Sequence, residues 1–232
     1  MNGNSTASIT EEYPWLESYW SLFLRRMEAD RLAHAILIVG PAGCGKAALA
    51  KAMVARLLCR ENRPTACGEC RSCRLLEGLA HPDYFDLQPE EDSEVIKVDQ
   101  VRGLISRLDL TTSISARKVA CIRPADAMNA ASANALLKSL EEPAGSTVLI
   151  LVSDNPGSLP ATIRSRCQSI SVVQPGREQV VEWLQASSGK PADAVNDALQ
   201  AGGGSPLRAA EYLSSSSIAA FKQVRDGPVS YT

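Results

Sequence analysis

The clearest chemistry in this sequence sits in the stretch Gly40-Pro-Ala-Gly43-Cys-Gly45-Lys46. Glycines at 40 and 45 followed by Lys46 fit G-x-x-x-x-G-K, the phosphate-binding loop. Glycine lets backbone N–H groups turn onto phosphate oxygens, and the N-terminus of a following helix adds partial positive charge. Lys46 would reach the β- and γ-phosphates. The motif continues with a hydroxyl that holds Mg²⁺; here that position is Ala47, which ligates nothing. The loop is that of a nucleotide-binding fold, while the equipment for hydrolysis is already impaired.

A second constellation follows at once. Cys59, Cys67, Cys70 and Cys73 fall within fifteen residues, the last three at x₂ spacing. Thiolates at this density can close a tetrahedron around Zn²⁺. The segment is too short and polar to build its own core, so metal binding would be its folding energy. Four protein ligands leave no open position for catalysis, which favours structural zinc. An iron–sulfur cluster and free surface thiols remain the alternatives. The other cysteines, Cys44, Cys121 and Cys167, are expected to take no part. His34, just before the first strand, reads as a capping or packing residue rather than a ligand.

These groups need elements to hold them. Residues 35–39 are apolar and lead into the loop as a strand, and residues 48–58 follow as a helix. Further strands are expected over 84–88, 117–122, 147–152 and 170–173, with helices at 98–108 and 130–142 between them. Alternating strands and helices imply an α/β fold, with a parallel sheet covered on both faces. The third strand ends in Arg123-Pro124, where an ATPase carries acidic residues for Mg²⁺ and water. Asp126 lies beyond, and helix capping is its expected job. Near the start, Leu16, Tyr19, Trp20, Phe23, Leu24 and Met27 form one helical stripe that would pack on the main domain. From Pro175 onward strand patterns stop. Short helical patterns at 177–186, 192–199 and 206–213, with a glycine joint at 202–204, predict a small helical second domain.

Composition narrows the classes. The chain has 232 residues, 45% of them hydrophobic, enough for one large or two small domains. A net charge of −2 argues against a protein that binds nucleic acid over its whole surface. The first twelve residues have neither basic nor apolar segments of a secretory signal. The longest apolar runs are strand-sized, too short to span a membrane. A cytoplasmic setting is expected, where seven cysteines suggest metal or free thiols rather than disulfides.

Asn134-Ala-Leu-Leu-Lys-Ser-Leu-Glu-Glu-Pro143 and Ser165-Arg166-Cys167 resemble the clamp-loader branch of the AAA+ ATPases. The four-cysteine insertion after the P-loop helix is similar to that of bacterial clamp loaders. Tyr13-Pro-Trp-Leu16 and His81-Pro-Asp83 narrow the resemblance to the delta-prime subunits of bacterial DNA polymerase III, over residues 13–213. The resemblance implies a P-loop AAA+ domain over 1–173, with a five-stranded parallel sheet and a zinc-binding insertion at 59–73. A helical lid domain over 174–215 would follow, then a linker or truncated start of the collar domain over 216–232. It implies a non-motor subunit that helps load the sliding clamp onto primed DNA. Its partners would be the motor subunits and the delta subunit, with the clamp indirectly and primed DNA within the complex, and no membrane. Arg166 would act in trans on a neighbour's ATP, and Arg208 would be the lid's sensor arginine. Gly40, Gly43, Gly45 and Lys46 would form a degenerate nucleotide site, with ATP doubtful and hydrolysis by this chain not expected. Two other readings are an active motor-type ATPase and a zinc-dependent nucleic-acid-binding protein.

Overall fold

The computed structural model describes residues 8–215; the linker or collar start expected over 216–232 lies outside the described residues. The elements in chain order begin with α1 (Ile9–Glu12) and α2 (Glu17–Glu28), joined by a 3₁₀ turn at Pro14–Leu16. Then come β1 (Ala35–Val39), α3 (Lys46–Leu58), α4 (Arg71–Glu77), β2 (Tyr84–Leu87) and α5 (Val98–Leu108). They continue with β3 (Lys118–Ile122), α6 (Ala130–Glu141), β4 (Thr147–Ser153), α7 (Ala161–Arg164) and β5 (Gln168–Ser171). The chain closes with α8 (Arg177–Ser188), α9 (Ala192–Ala201) and α10 (Pro206–Ser214). Among the described residues, no helix is long and apolar enough to cross a membrane.

The strands form one five-stranded sheet in the order β2-β3-β4-β1-β5, and every pairing is parallel. The sequence explains why β1, β3 and β4 lie inside. They read Ala-Ile-Leu-Ile-Val, Lys-Val-Ala-Cys-Ile and Thr-Val-Leu-Ile-Leu-Val-Ser, almost without polar alternation. Such runs suit strands covered on both faces. On one face Leu37, Ile122, Leu149 and Leu151 meet Leu104 of α5, Leu136 and Leu140 of α6 and Ile163 of α7. The P-loop helix α3 packs against β1, β3 and β4, burying Leu49, Met53 and Leu57. Each such side chain contributes roughly 1.5–3 kcal/mol relative to exposure. In α2, Trp20 and Phe23 of the aromatic stripe are buried, with ring centroids 5.2 Å apart. Leu24 and Met27 are half-buried.

Lys118 is the exception in β3, buried despite its charge. Its ammonium donates to the Arg107, Leu108 and Leu110 carbonyls around the end of α5. A cation there complements the free carbonyls of a helix C-terminus. His34 hydrogen-bonds through Nε2 with the Leu140 carbonyl at 2.7 Å, joining the start of β1 to α6.

The chain divides into two compact units. Among the described residues, one holds 8–40 together with Lys46–Val172; the other holds Pro41–Gly45 and 173–215. In the second unit α8, α9 and α10 close around Val180, Leu184, Val195, Ala198, Leu199 and Ala209. Gly189 ends α8 with φ +65°, the left-handed backbone that glycine adopts most easily after a helix.

Candidate functional site

The glycine loop joins β1 to α3, and its backbone demands glycine. Gly40 has φ +148°, and a Cβ there would lie 2.0 Å from the Val172 carbonyl oxygen. Gly43 has φ +72°, and a Cβ would lie 2.0 Å from Ser205 Oγ. In that same unit the Leu207 N–H donates to the Gly43 carbonyl at 3.1 Å. Arg208, in α10, is exposed, and its N–H donates to Ser205 Oγ at the helix cap.

Lys46 is buried, and its ammonium lies 2.5 Å from Asp154 Oδ1, just past β4. Asp126 accepts from the Asp154 N–H at 3.2 Å. The capping role expected of Asp126 is therefore replaced by a link between two strand-end turns. At the end of β3, Arg123 makes a two-pronged pair with Asp86 of β2, Nε to Oδ1 at 3.0 Å and Nη2 to Oδ2 at 2.6 Å. A cation already neutralised by a neighbour stands where a Mg²⁺-binding carboxylate would be needed, and Ala47 has no hydroxyl to add.

Arg166 follows α7 and projects from its end. Nε and Nη2 approach Glu141 Oε1 at 2.6 and 2.5 Å, and Nη1 donates to the Thr162 carbonyl at 3.1 Å. The base is rigid, because Ile163 is fully buried and Cys167 packs on the same core. The Arg166 side chain is about one-third exposed.

The cysteines converge as their spacing predicts. The Sγ atoms of Cys59, Cys67, Cys70 and Cys73 all lie within 4.8 Å of one another. A tetrahedral thiolate site with metal–sulfur bonds of about 2.3 Å requires sulfur pairs about 3.8 Å apart. Cys67 and Cys73 stand at 3.9 Å, near that value and far beyond a disulfide bond. Backbone N–H groups of Cys67, Cys70 and Cys73 donate to the sulfurs of Cys59, Cys67 and Cys70, respectively, at 3.3–3.5 Å. Such bonds favour thiolate over thiol. Burial pushes the Cys70 thiol up, but N–H groups of Arg60 and Cys73 outweigh it and bring its pKa down to about 6. Burial dominates at Cys59 and Cys73, whose pKa values are raised, and neighbouring cysteines add to the rise. The donor set fits a metal ion. Cys44, Cys121 and Cys167 lie outside it; burial pushes Cys121 up to about 12 and Cys167 to about 11.

A buried polar network ties this module to the sheet. Ser72, between two of the cysteines, donates to the Leu58 carbonyl at 2.6 Å and meets His81 Nε2 at 2.7 Å. Ser115 joins both at 3.2 Å. His81 Nδ1 accepts from the Asp83 N–H, so the ring proton belongs on Nε2. Burial depresses the His81 pKa, with Asp83 partly opposing. The Asp83 carboxylate accepts from the N–H groups of Ser113, Ile114 and Ser115 at 2.7–2.8 Å. His81, Pro82 and Asp83 carry part of the family resemblance, but their sequence reads only as a turn. The roles of Asp83, Asp154 and Glu141 depend on distant partners that no local pattern announces.

Comparison with known proteins follows the same lines. Residues 15–175 match a family model described as DNA polymerase III, delta subunit. The chain is 49% identical over 205 residues to DNA polymerase III subunit delta' of Pseudomonas aeruginosa, covering 87% of this chain and 61% of that protein. It is 36% identical over 195 residues to the Escherichia coli subunit of the same name, covering 84% and 58%. The chain thus spans about three fifths of the length of these curated relatives. A Thermotoga maritima RuvB variant superposes with a TM-score of 0.54 at 16% identity, covering 91% of this chain and 61% of that one. That likeness is one of fold, the P-loop AAA+ architecture.

Proposed function

We infer the function from one premise: this chain belongs to the family of DNA polymerase III delta-prime subunits. It serves as a non-motor subunit of the clamp loader, beside the motor subunits and the delta subunit. There it helps place the sliding clamp on primed DNA during replication. Residues 1–173 act as the AAA+ domain and 174–215 as its lid.

One observation carries the reading: a P-loop is present, yet the groups around it are committed to one another. Lys46 pairs with Asp154, Arg123 pairs with Asp86, and Ala47 offers no hydroxyl. Phosphoryl transfer depends on Mg²⁺ and positioned charge around the γ-phosphate. A chain arranged this way does not turn over ATP by itself. The loop of Gly40, Gly43, Gly45 and Lys46 is a degenerate nucleotide site, holding nucleotide weakly at most and without Mg²⁺.

Such a chain can still complete a neighbour's site. Charge spreads over the γ-phosphate oxygens during transfer, and an arginine supplied in trans stabilises it. Arg166 suits that role, being a planar, permanently charged fork on a rigid mount. Cys59, Cys67, Cys70 and Cys73 hold Zn²⁺, which supplies folding energy to the insertion; with four protein ligands the site is structural.

The test is the assembled loader with single substitutions, at saturating clamp and primed DNA. Arg166→Ala should fold and assemble but lower the stimulated ATPase, and Arg164→Ala should do much less. Unchanged ATPase and unchanged clamp loading with Arg166→Ala overturn the proposal.

A further inference from the structure

We propose that Glu141 is a positioning residue for Arg166: its carboxylate sets the guanidinium so that the outer fork faces the neighbouring subunit's phosphate. The proposal rests on the trans role of Arg166 and adds a residue to it. Glu141 Oε1 takes the Nε and Nη2 edge, at 2.6 and 2.5 Å. The Thr162 carbonyl holds Nη1 at 3.1 Å, with Ser165 Oγ at 3.4 Å. A guanidinium carries five N–H donors in a fixed plane. Holding one side edge and one Nη1 hydrogen fixes that plane and leaves donors on the outer Nη1/Nη2 side.

The two residues come from different elements, which makes the arrangement a tertiary one. Glu141 is the last residue of α6, one turn beyond Lys138 and next to fully buried Leu140. Arg166 follows α7, whose Ile163 lies in the same core as Leu140. Both backbones are therefore anchored within a few residues of the pair. The Glu141 side chain is half-exposed, and exposed ion pairs add little to stability. What the pair does supply is order. A free arginine side chain has large rotamer entropy, and a finger held in place does not lose that freedom when the transition state forms. Removing the hold should cost on the order of tenfold in rate at the neighbour's site.

The experiment is a double-mutant cycle in the assembled loader, with kcat and KM for ATP measured separately. Glu141→Ala should lower kcat with little change in KM, and Glu141→Gln, which keeps an acceptor oxygen, should recover part of the loss. Adding Glu141→Ala to Arg166→Ala should cost nothing more. On the chain alone, the Arg166 Nε–Hε signal in ¹⁵N NMR should be ordered in the wild type and motionally averaged in Glu141→Ala. Should Arg166→Ala impair the loader while Glu141→Ala leaves kcat unchanged or raises it, the positioning role is refuted and the trans arginine stands. Should Arg166→Ala itself be silent, the trans arginine falls and this inference with it.

Discussion

Asp83→Asn should be among the most costly single-atom changes in this protein. Asp83 is fully buried, yet its Oδ1 accepts from the Ser113 N–H at 2.7 Å and its Oδ2 from those of Ile114 and Ser115 at 2.8 Å each. An amide retains one acceptor oxygen. In its better orientation it keeps the Ile114 and Ser115 bonds, without their charge, and turns an NH₂ group toward the Ser113 N–H. A hydrogen bond to a charged group contributes about 1.5–3 kcal/mol net, so losing one outright and weakening two gives a destabilisation of about 3 kcal/mol. For a chain of this size that corresponds to a fall in Tm of about 6–12 °C. The pH dependence supplies a second reading. Burial raises the Asp83 pKa, but the three N–H groups and His81 outweigh it, so the net displacement is downward. A carboxylate with a depressed folded-state pKa stabilises fully above its unfolded value of about 3.9. That contribution is lost as pH falls through the folded value. Urea unfolding of both proteins at pH 7, and in steps down to pH 3, should show a wide gap at neutral pH that narrows in acid. His81 works the other way at intermediate pH: its depressed pKa means stability is lost as pH falls below about 6.5, so the gap should first widen there and narrow only as Asp83 protonates below about 3.9. Without the Asp83 carboxylate opposing that depression, this leg should steepen in the variant. A deficit below about 1 kcal/mol at pH 7, or one of constant size at every pH, would refute the assignment of charged, three-bond anchoring.

Protein purified without chelator should carry one Zn²⁺ per chain by elemental analysis. Cys70→Ser should abolish binding and expose residues 59–73 to rapid hydrogen exchange while the sheet stays protected; full occupancy in the variant contradicts the ligand assignment. Asp154→Asn removes a carboxylate at contact distance from the Lys46 ammonium and should strengthen ADP binding about tenfold or more. A fluorescent-nucleotide titration that shows no change would count against the pair as an obstacle. Gly40→Ala should destabilise by about 2–4 kcal/mol, because its Cβ would meet the Val172 carbonyl at 2.0 Å and the backbone at φ +148° resists a side chain. A thermal melt unchanged from wild type would show that the loop can shift without cost.

Features encoded in local pattern were legible in the residues alone. Apolar runs with little polar alternation read as buried parallel strands, and Gly40 through Lys46 read as a phosphate loop, because strand burial and tight turns are written in neighbouring residues. The four cysteines likewise lie within one short stretch, so the meeting of their sulfurs within 4.8 Å required no knowledge of the fold. Ala47 and Arg123 could be read as losses at single positions. How the charges are matched became visible only in the folded chain. Lys46 finds Asp154, Arg123 finds Asp86, Arg166 finds Glu141, and Asp83 finds three N–H groups some thirty residues away. Asp126 is the instructive case: its position suggested a helix cap, and its carboxylate instead takes the Asp154 N–H. The physical reason is the range of the interactions. Periodicity and turn chemistry act over a few residues of one chain segment. A carboxylate's partner depends on which strand ends the crossover helices bring side by side, and in a sheet ordered β2-β3-β4-β1-β5 those neighbours are distant in sequence.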